Sequence, residues 1–257
     1  MGVRRRVVTL LLYYPAVLII VALSSLISLF TPSYYVLVPE LILSMFFIIL
    51  LVKLRRGLGV GYTYVFVVFL ILLISFVSVF TVRPEAILNE ALAIITRNVT
   101  RGFAYVIIYL FLSLLPDSIV DLVGTLPIFI LVTAIAILEF RLRYYLITSV
   151  VTGIIGIGIS TVILSLIYAR LVVTYGLSAM TMGLMGSVLM ASLINTVKGS
   201  QKPMHLLNFL LILYTVYESL WLLIPVPPVL IIDGVGINRL GHFLSFVAGF
   251  IIAIFIT

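Results

Sequence analysis

There is no cysteine anywhere in this 257-residue chain. Disulfides, thiol nucleophiles and cysteine-bound zinc are excluded, and with them any inference about redox compartment. Charge is nearly as scarce: 9% of residues are Asp, Glu, Lys or Arg, against 64% apolar. Soluble domains carry about 25% charged residues, so no soluble core accounts for this ratio. Histidine occurs only at His205 and His242, and tryptophan only at Trp221. A general base therefore has few places to be. Period-two alternation of polar and apolar residues is also missing, which excludes the strands of a membrane β-barrel.

What is abundant is long apolar sequence. Stretches of about 20 apolar residues recur along the chain, the length that crosses a hydrocarbon layer roughly 30 Å thick. Eight spans are expected, at 7–30, 34–54, 59–80, 118–138, 144–168, 176–197, 203–224 and 236–257. Backbone groups in lipid must be satisfied within their own helix, so the fold class is an all-α polytopic membrane protein. The net charge of +7 would suit nucleic acid, but the cationic residues cluster at span ends. Topology explains that placement, so the expected surroundings are a lipid bilayer and no nucleic acid is expected.

A further apolar stretch, Phe103 to Leu115, is short for a crossing. If it stays on the surface, one side receives Arg4, Arg5, Arg6, Lys53, Arg55, Arg56, Arg141, Arg143, Lys198 and Lys202. The other receives Arg83, Arg97, Arg101, Arg170 and Arg239, a split of ten to five. If it crosses, later loops swap sides and the split becomes eight to seven. The stronger asymmetry marks the cytoplasmic face and places both termini there. A multi-pass protein of the plasma membrane is the expected localisation. The segment at about 81–117 is then external. Within Pro84 to Thr100, Ile87, Leu88, Ala91 and Ile95 share one face, while Glu85, Asn89 and Glu90 lie on others. That pattern fits an amphipathic helix in the headgroup region.

Asn98-Val99-Thr100 is a formal glycosylation acceptor on that side. Met1 to Arg6 followed by an apolar run resembles a signal peptide. The run is too long and no small-residue cleavage site follows, so an uncleaved anchor is expected. Tyr34, Tyr35, Tyr144, Tyr145, Tyr168, Tyr175 and Trp221 lie near span ends, as interfacial aromatic belts do.

Two constellations carry chemistry. Gly176-Leu177-Ser178-Ala179 continues to Gly183 and Gly186, and His242 is followed by Ser245 and Gly249. In the expected topology both helices run inward from the external side, so Ser178 and His242 fall at similar depth. A serine hydroxyl becomes a nucleophile when a base takes its proton. The start of a helix also offers unpaired N–H donors for a developing oxyanion. Ala179, Gly183 and Gly186 form one small-residue stripe, and His242, Ser245 and Gly249 another; such stripes let membrane helices approach closely. A purely structural reading, in which these residues only pack helices, carries comparable weight.

These motifs resemble the rhomboid intramembrane serine proteases. That family carries G-x-S-G-x-x-x-G-x-x-G on its serine helix and H-x-x-G-x-x-x-G on its last core helix. The resemblance covers roughly Gly59 to Thr257. It implies a rhomboid-like six-helix core at 59–257, with a membrane-embedded first loop at about 81–117 and two extra transmembrane helices at 1–58. It further implies a Ser178–His242 dyad, transmembrane protein substrates cut near the outer face, and no cofactor or metal. Ala179 and Ser245 replace family glycines. The family's H-x-x-x-N, a source of oxyanion donors, finds its nearest register at Asp121-Leu122-Val123-Gly124-Thr125. Thr125 can donate a hydrogen bond, whereas an ionised Asp121 cannot and would repel an oxyanion.

The rival reading is a catalytically inactive rhomboid-like protein that binds membrane helices. The altered Asp121–Thr125 region favours it, and retention of Ser178 and His242 opposes it. A transporter would need polar residues along a midplane path, and the midspan positions are too apolar to supply one. Asp121 and Asp233 are the carboxylates that could be read as a third member of a triad. Glu218 and His205 are expected to reach water near span ends, and Glu40, Asn195 and Asn208 to serve helix–helix contacts.

Overall fold

A computed structural model describes residues 3–30, 33–81, 84–95, 98–116, 118–169, 171–174, 176–198, 202–232 and 235–257. Arg83, Arg97, Arg170, Tyr175 and Asp233 lie outside the described residues. The chain forms α1 (Val3–Phe30), α2 (Ser33–Leu58), α3 (Tyr62–Thr81), α4 (Pro84–Ile95), α5 (Val99–Leu112), α6 (Ile119–Glu139), α7 (Leu142–Ile167) and α8 (Leu177–Lys198). There follow α9 (Lys202–Glu218), α10 (Leu220–Leu223), the strands β1 (Val229–Ile232) and β2 (Val235–Asn238), and α11 (Arg239–Ile256).

Seven of these helices, α1, α2, α3, α6, α7, α8 and α11, are long and apolar enough to cross a membrane. The protein is an all-α, multi-pass integral membrane protein. The span expected at 203–224 is instead interrupted at Ser219, which separates the 17-residue α9 from α10. The span expected from residue 236 begins only at Arg239, because β2 pairs antiparallel with β1 from Ile232↔Val235 to Val229↔Asn238.

Burial sorts the helices. From Leu177 to Val188 every residue of α8 is buried, packed among α6, α7, α9 and α11. The glycines, serines and threonine of this stretch therefore never meet lipid. In α1, α2 and α3, by contrast, Leu11, Leu12, Val38, Phe46, Phe66 and Phe80 stand exposed, as lipid-facing side chains must.

The segment between α3 and α6 is a pair of helices, α4 against α5, with α5 resting on α7. Leu88 and Ala91 are buried as the amphipathic pattern requires. Asn98 is the N-cap of α5, its side chain accepting from the Arg101 backbone N–H at 3.0 Å. A Ser/Thr/Asn cap explains this asparagine locally, without a sugar. Tyr145 departs from the aromatic belt: it is fully buried, its ring 5.2 Å from that of Tyr64.

Helices α1 and α2 are packed directly on α6. Tyr13 donates to the Ala134 carbonyl at 2.9 Å, so α1 is a structural member of the bundle. At the C-terminal end of α6 the Glu139 carboxylate, with no exposed side-chain surface, accepts from Asn195 Nδ2 at 2.8 Å and Asn208 Nδ2 at 2.6 Å. His205 Nδ1 lies 3.0 Å from it, and Tyr14 donates to Asn208 Oδ1 at 2.6 Å. Four helices, α1, α6, α8 and α9, thus meet at one carboxylate. Glu139→Ala would strand two amide donors and the histidine, at about 1–3 kcal/mol for each buried group left unpaired. A clear fall in the thermal midpoint of the detergent-solubilised protein is expected, with a smaller fall for His205→Ala.

Candidate active site

Ser178 and His242, 64 positions apart in sequence, are in contact. His242 Nε2 lies 2.9 Å from Ser178 Oγ, and both side chains are buried. Each sits in the first turn or so of its helix, and local sequence explains both placements. Asn238 caps α11, its Oδ1 accepting from the Gly241 N–H at 2.8 Å, one residue before the histidine. Its Nδ2 donates to Ser160 Oγ of α7 at 2.8 Å, fixing the start of α11 sideways. The histidine is therefore held by a cap that an asparagine before an apolar run foretells.

The serine is presented by Gly176. Its φ of +131° is one that residues with a Cβ rarely adopt. A Cβ there would also stand 3.0 Å from Ser178 Oγ and 2.9 Å from an Asp121 carboxylate oxygen. The Gly176 N–H donates to the Ser113 carbonyl just beyond α5 at 2.8 Å. The preceding residue of the loop that is described, Thr174, has its carbonyl bonded by Tyr109 at 2.9 Å and its hydroxyl bonded to Thr161 at 2.5 Å. Helix α5 and its C-cap thus tie down the turn that carries Ser178. Asn238, Tyr109, Ser113, Ser160 and Thr174 were not singled out by the sequence; only Asn238 carries a local signal. Asp233-Gly234, a turn dipeptide between two β-rich runs, is the corresponding signal for the hairpin.

Close helix contact makes the pairing possible. A Cβ on Gly249 would overlap the Gly183 carbonyl, and one on Gly186 the Phe246 carbonyl. Ser187 Oγ bridges the seam, 2.9 Å from the Gly183 carbonyl and 3.0 Å from that of Gly249. Not every member of the expected stripes faces the other. Ser245 packs on Gly156 of α7, where a Cβ would collide with its hydroxyl. Ala179 clusters with Leu114 and Ile157. The third partner is an α7 face of Gly153, Gly156 and Thr152, which the two-stripe reading did not include.

The chemistry available is a serine–histidine dyad. With the ring proton on Nδ1, Nε2 is free to accept the Ser178 hydroxyl proton. No hydrogen bond of good geometry reaches Nδ1, and the Leu222 backbone lies against that side of the ring. A carboxylate orienting the histidine is thus absent among the described residues. Helix geometry leaves the Ser178 N–H without an intrahelical partner.

Of the Asp121–Thr125 register, Asp121 lies beside the Gly176 turn that precedes the serine, and Thr125 follows one turn along α6. Ser118 caps α6, accepting from the Asp121 N–H at 3.2 Å. Asp121 occupies the first turn, where an acid complements the helix dipole. The Thr125 hydroxyl lies 3.4 Å from Asp121 Oδ1, turned toward the carboxylate. Glu218 is exposed and accepts a hydrogen bond from Tyr214. His205, bonded to Glu139, belongs to the other end of α6.

No family model, curated protein or solved structure matches this chain.

The seam yields a direct expectation. Gly249→Leu inserts a side chain where two backbones touch, and overpacking of this kind costs about 1–3 kcal/mol or more. The thermal midpoint should fall, and with it labelling of Ser178 by a fluorophosphonate. Unchanged melting and labelling would show that α8 and α11 do not cross at this point.

Proposed function

We propose that the protein is an intramembrane serine endopeptidase of the rhomboid-like kind, cleaving transmembrane protein substrates near the outer membrane face. The observation that carries this reading is the 2.9 Å contact between Ser178 Oγ and His242 Nε2 inside a bundle of apolar helices. Ser178 attacks the peptide carbonyl while Nε2 takes its proton. The same nitrogen then returns that proton to the leaving amine. The oxyanion forms beside the Ser178 N–H at the positive end of α8. Water hydrolyses the acyl-enzyme. The bundle supplies no route for bulk solvent from lipid, so this water comes from the end of the bundle at which both residues lie.

A second reading has its own observation. The Asp121 carboxylate approaches the same turn as Ser178, where negative charge opposes an oxyanion. In that reading the protein is an inactive relative that binds membrane helices without cutting them.

The two are separated with purified protein and a panel of model transmembrane substrates. For the protease, Ser178→Ala and His242→Ala each abolish cleavage with folding intact, and the double variant is little worse than either. Asp121→Asn removes the charge and supplies an amide donor, so its rate should equal or exceed that of the wild type. Cleavage persisting in Ser178→Ala would end the serine mechanism; silence of the wild type with gain of activity in Asp121→Asn would support the inactive relative.

The ten-to-five charge split supports a plasma-membrane protein with cytoplasmic termini and an external α4–α5 pair. Single cysteines introduced into this cysteine-free chain report the orientation. An impermeant thiol reagent on intact cells should tag position 100 but not position 198, and the reverse pattern would put the dyad at the cytoplasmic face.

A further inference from the structure

Glu40 lies in α2, two turns from its start, and has no exposed surface. Among the described residues no lysine, arginine or histidine pairs with it; the ion pair found there, His205–Glu139, is elsewhere. A carboxylate at membrane depth without a counter-charge is costly, and its neighbours identify what balances it.

Those neighbours are oxygens. Ser24 Oγ of α1 lies 2.8 and 2.7 Å from the two carboxylate oxygens, and its single proton serves one of them. Ser28 Oγ lies 2.9 Å from the Ser24 carbonyl, where its proton goes. It also lies 3.3 Å from Glu40 Oε1 and 3.5 Å from the Val123 carbonyl of α6. Hydroxyl hydrogen bonds favour about 2.5–3.0 Å, so these two separations are not good hydrogen bonds.

The Val123 carbonyl is itself unusual. Its helical partner four residues on is Pro127, which has no N–H to give. Oxygens of Glu40 and Val123 therefore both lie by Ser28 Oγ, whose one proton has its shortest acceptor in the Ser24 carbonyl.

Their spacing suggests the missing species. A hard cation holding oxygens at about 2.4 Å keeps adjacent ligands about 3.4 Å apart. The 3.3 and 3.5 Å separations match that spacing. One carboxylate balances one positive charge, so a divalent ion would leave an excess in the membrane. Helix carbonyls released from their ladder, combined with polar side chains, are a recurrent way of holding such ions at membrane depth.

We propose that Glu40, Ser28 and the Val123 carbonyl, with Ser24 supporting Glu40, bind a single monovalent cation of Na⁺ size that fastens α1 and α2 to α6. The ion is structural and takes no part in peptide hydrolysis, so the site stands whether or not the protein is a protease.

The test is thermal unfolding of the full-length protein in detergent, at fixed pH and ionic strength, with NaCl replaced stepwise by KCl or choline chloride. A ligand that binds only the folded state raises the midpoint with concentration. The wild type should gain about 3 °C or more in Na⁺ along a saturating curve, and less in K⁺, whose size holds oxygens further apart. Glu40→Gln should abolish the Na⁺ dependence, and Ser28→Ala should move its midpoint to about tenfold higher Na⁺. Identical wild-type melting in Na⁺ and choline overturns the proposal, even if neither variant folds. So does a Na⁺ response that survives in Glu40→Gln. Stabilisation by acid with no response to Na⁺ overturns it too, and assigns the balancing charge to a proton.

Discussion

Backbone contact between α8 and α11 at Gly183 and Gly249 is the constraint on which the rest of the structure depends. Helices in lipid gain little from burying apolar side chains, because lipid is equally apolar; they associate through close packing and interhelical hydrogen bonds. Here both operate at one seam, through facing glycines and the Ser187 hydroxyl shared between two carbonyls. A side chain of any size at Gly249 would widen the crossing. The Ser178–His242 contact, near the head of both helices, inherits its length from that crossing.

Position along the helices is set by different means. The starts of α8 and α11 are fixed by hydrogen bonds from hydroxyl, amide and backbone groups: Ser113 to Gly176, Tyr109 to Thr174, and Asn238 to Ser160. None of these contacts uses a charged side chain. Neutral groups suit a site enclosed by apolar helices, because each costs less to bury than an ion and is satisfied by a single partner. Asp121 is the exception, and its place in the first turn of α6 gives it a structural task alongside any effect on the serine.

The two ends of α6 are anchored by buried carboxylates of opposite design. At its C-terminal end Glu139 is satisfied by donors from α8 and α9. Near its N-terminal end Glu40 of α2 is met by the hydroxyls of Ser24 and Ser28, the latter also beside the carbonyl that Pro127 releases. Both networks reach into α1, through Tyr14 and Ser24. The first two helices are accordingly joined to the bundle by polar contacts at both depths, not merely laid against it in lipid.

The sequence by itself determined the solvent of this protein. Long apolar runs and scarce charge are local properties, and the physics of unsatisfied backbone in lipid converts them directly into helices. The small-residue stripes were legible for the same reason: a glycine seam needs a fixed spacing that survives without knowledge of the partner. Tertiary structure decided which faces meet. Ser245 turned to Gly156 and Ala179 to Leu114, because α7 lays its own small face along the side of the α8–α11 seam, and no periodicity within one helix specifies a third. The burial of Tyr145 against Tyr64 likewise depends on a neighbour distant in sequence. Only the fold could bring Ser28, beside Glu40, to the Val123 carbonyl freed by Pro127, since a lone carboxylate in an apolar run names no partner.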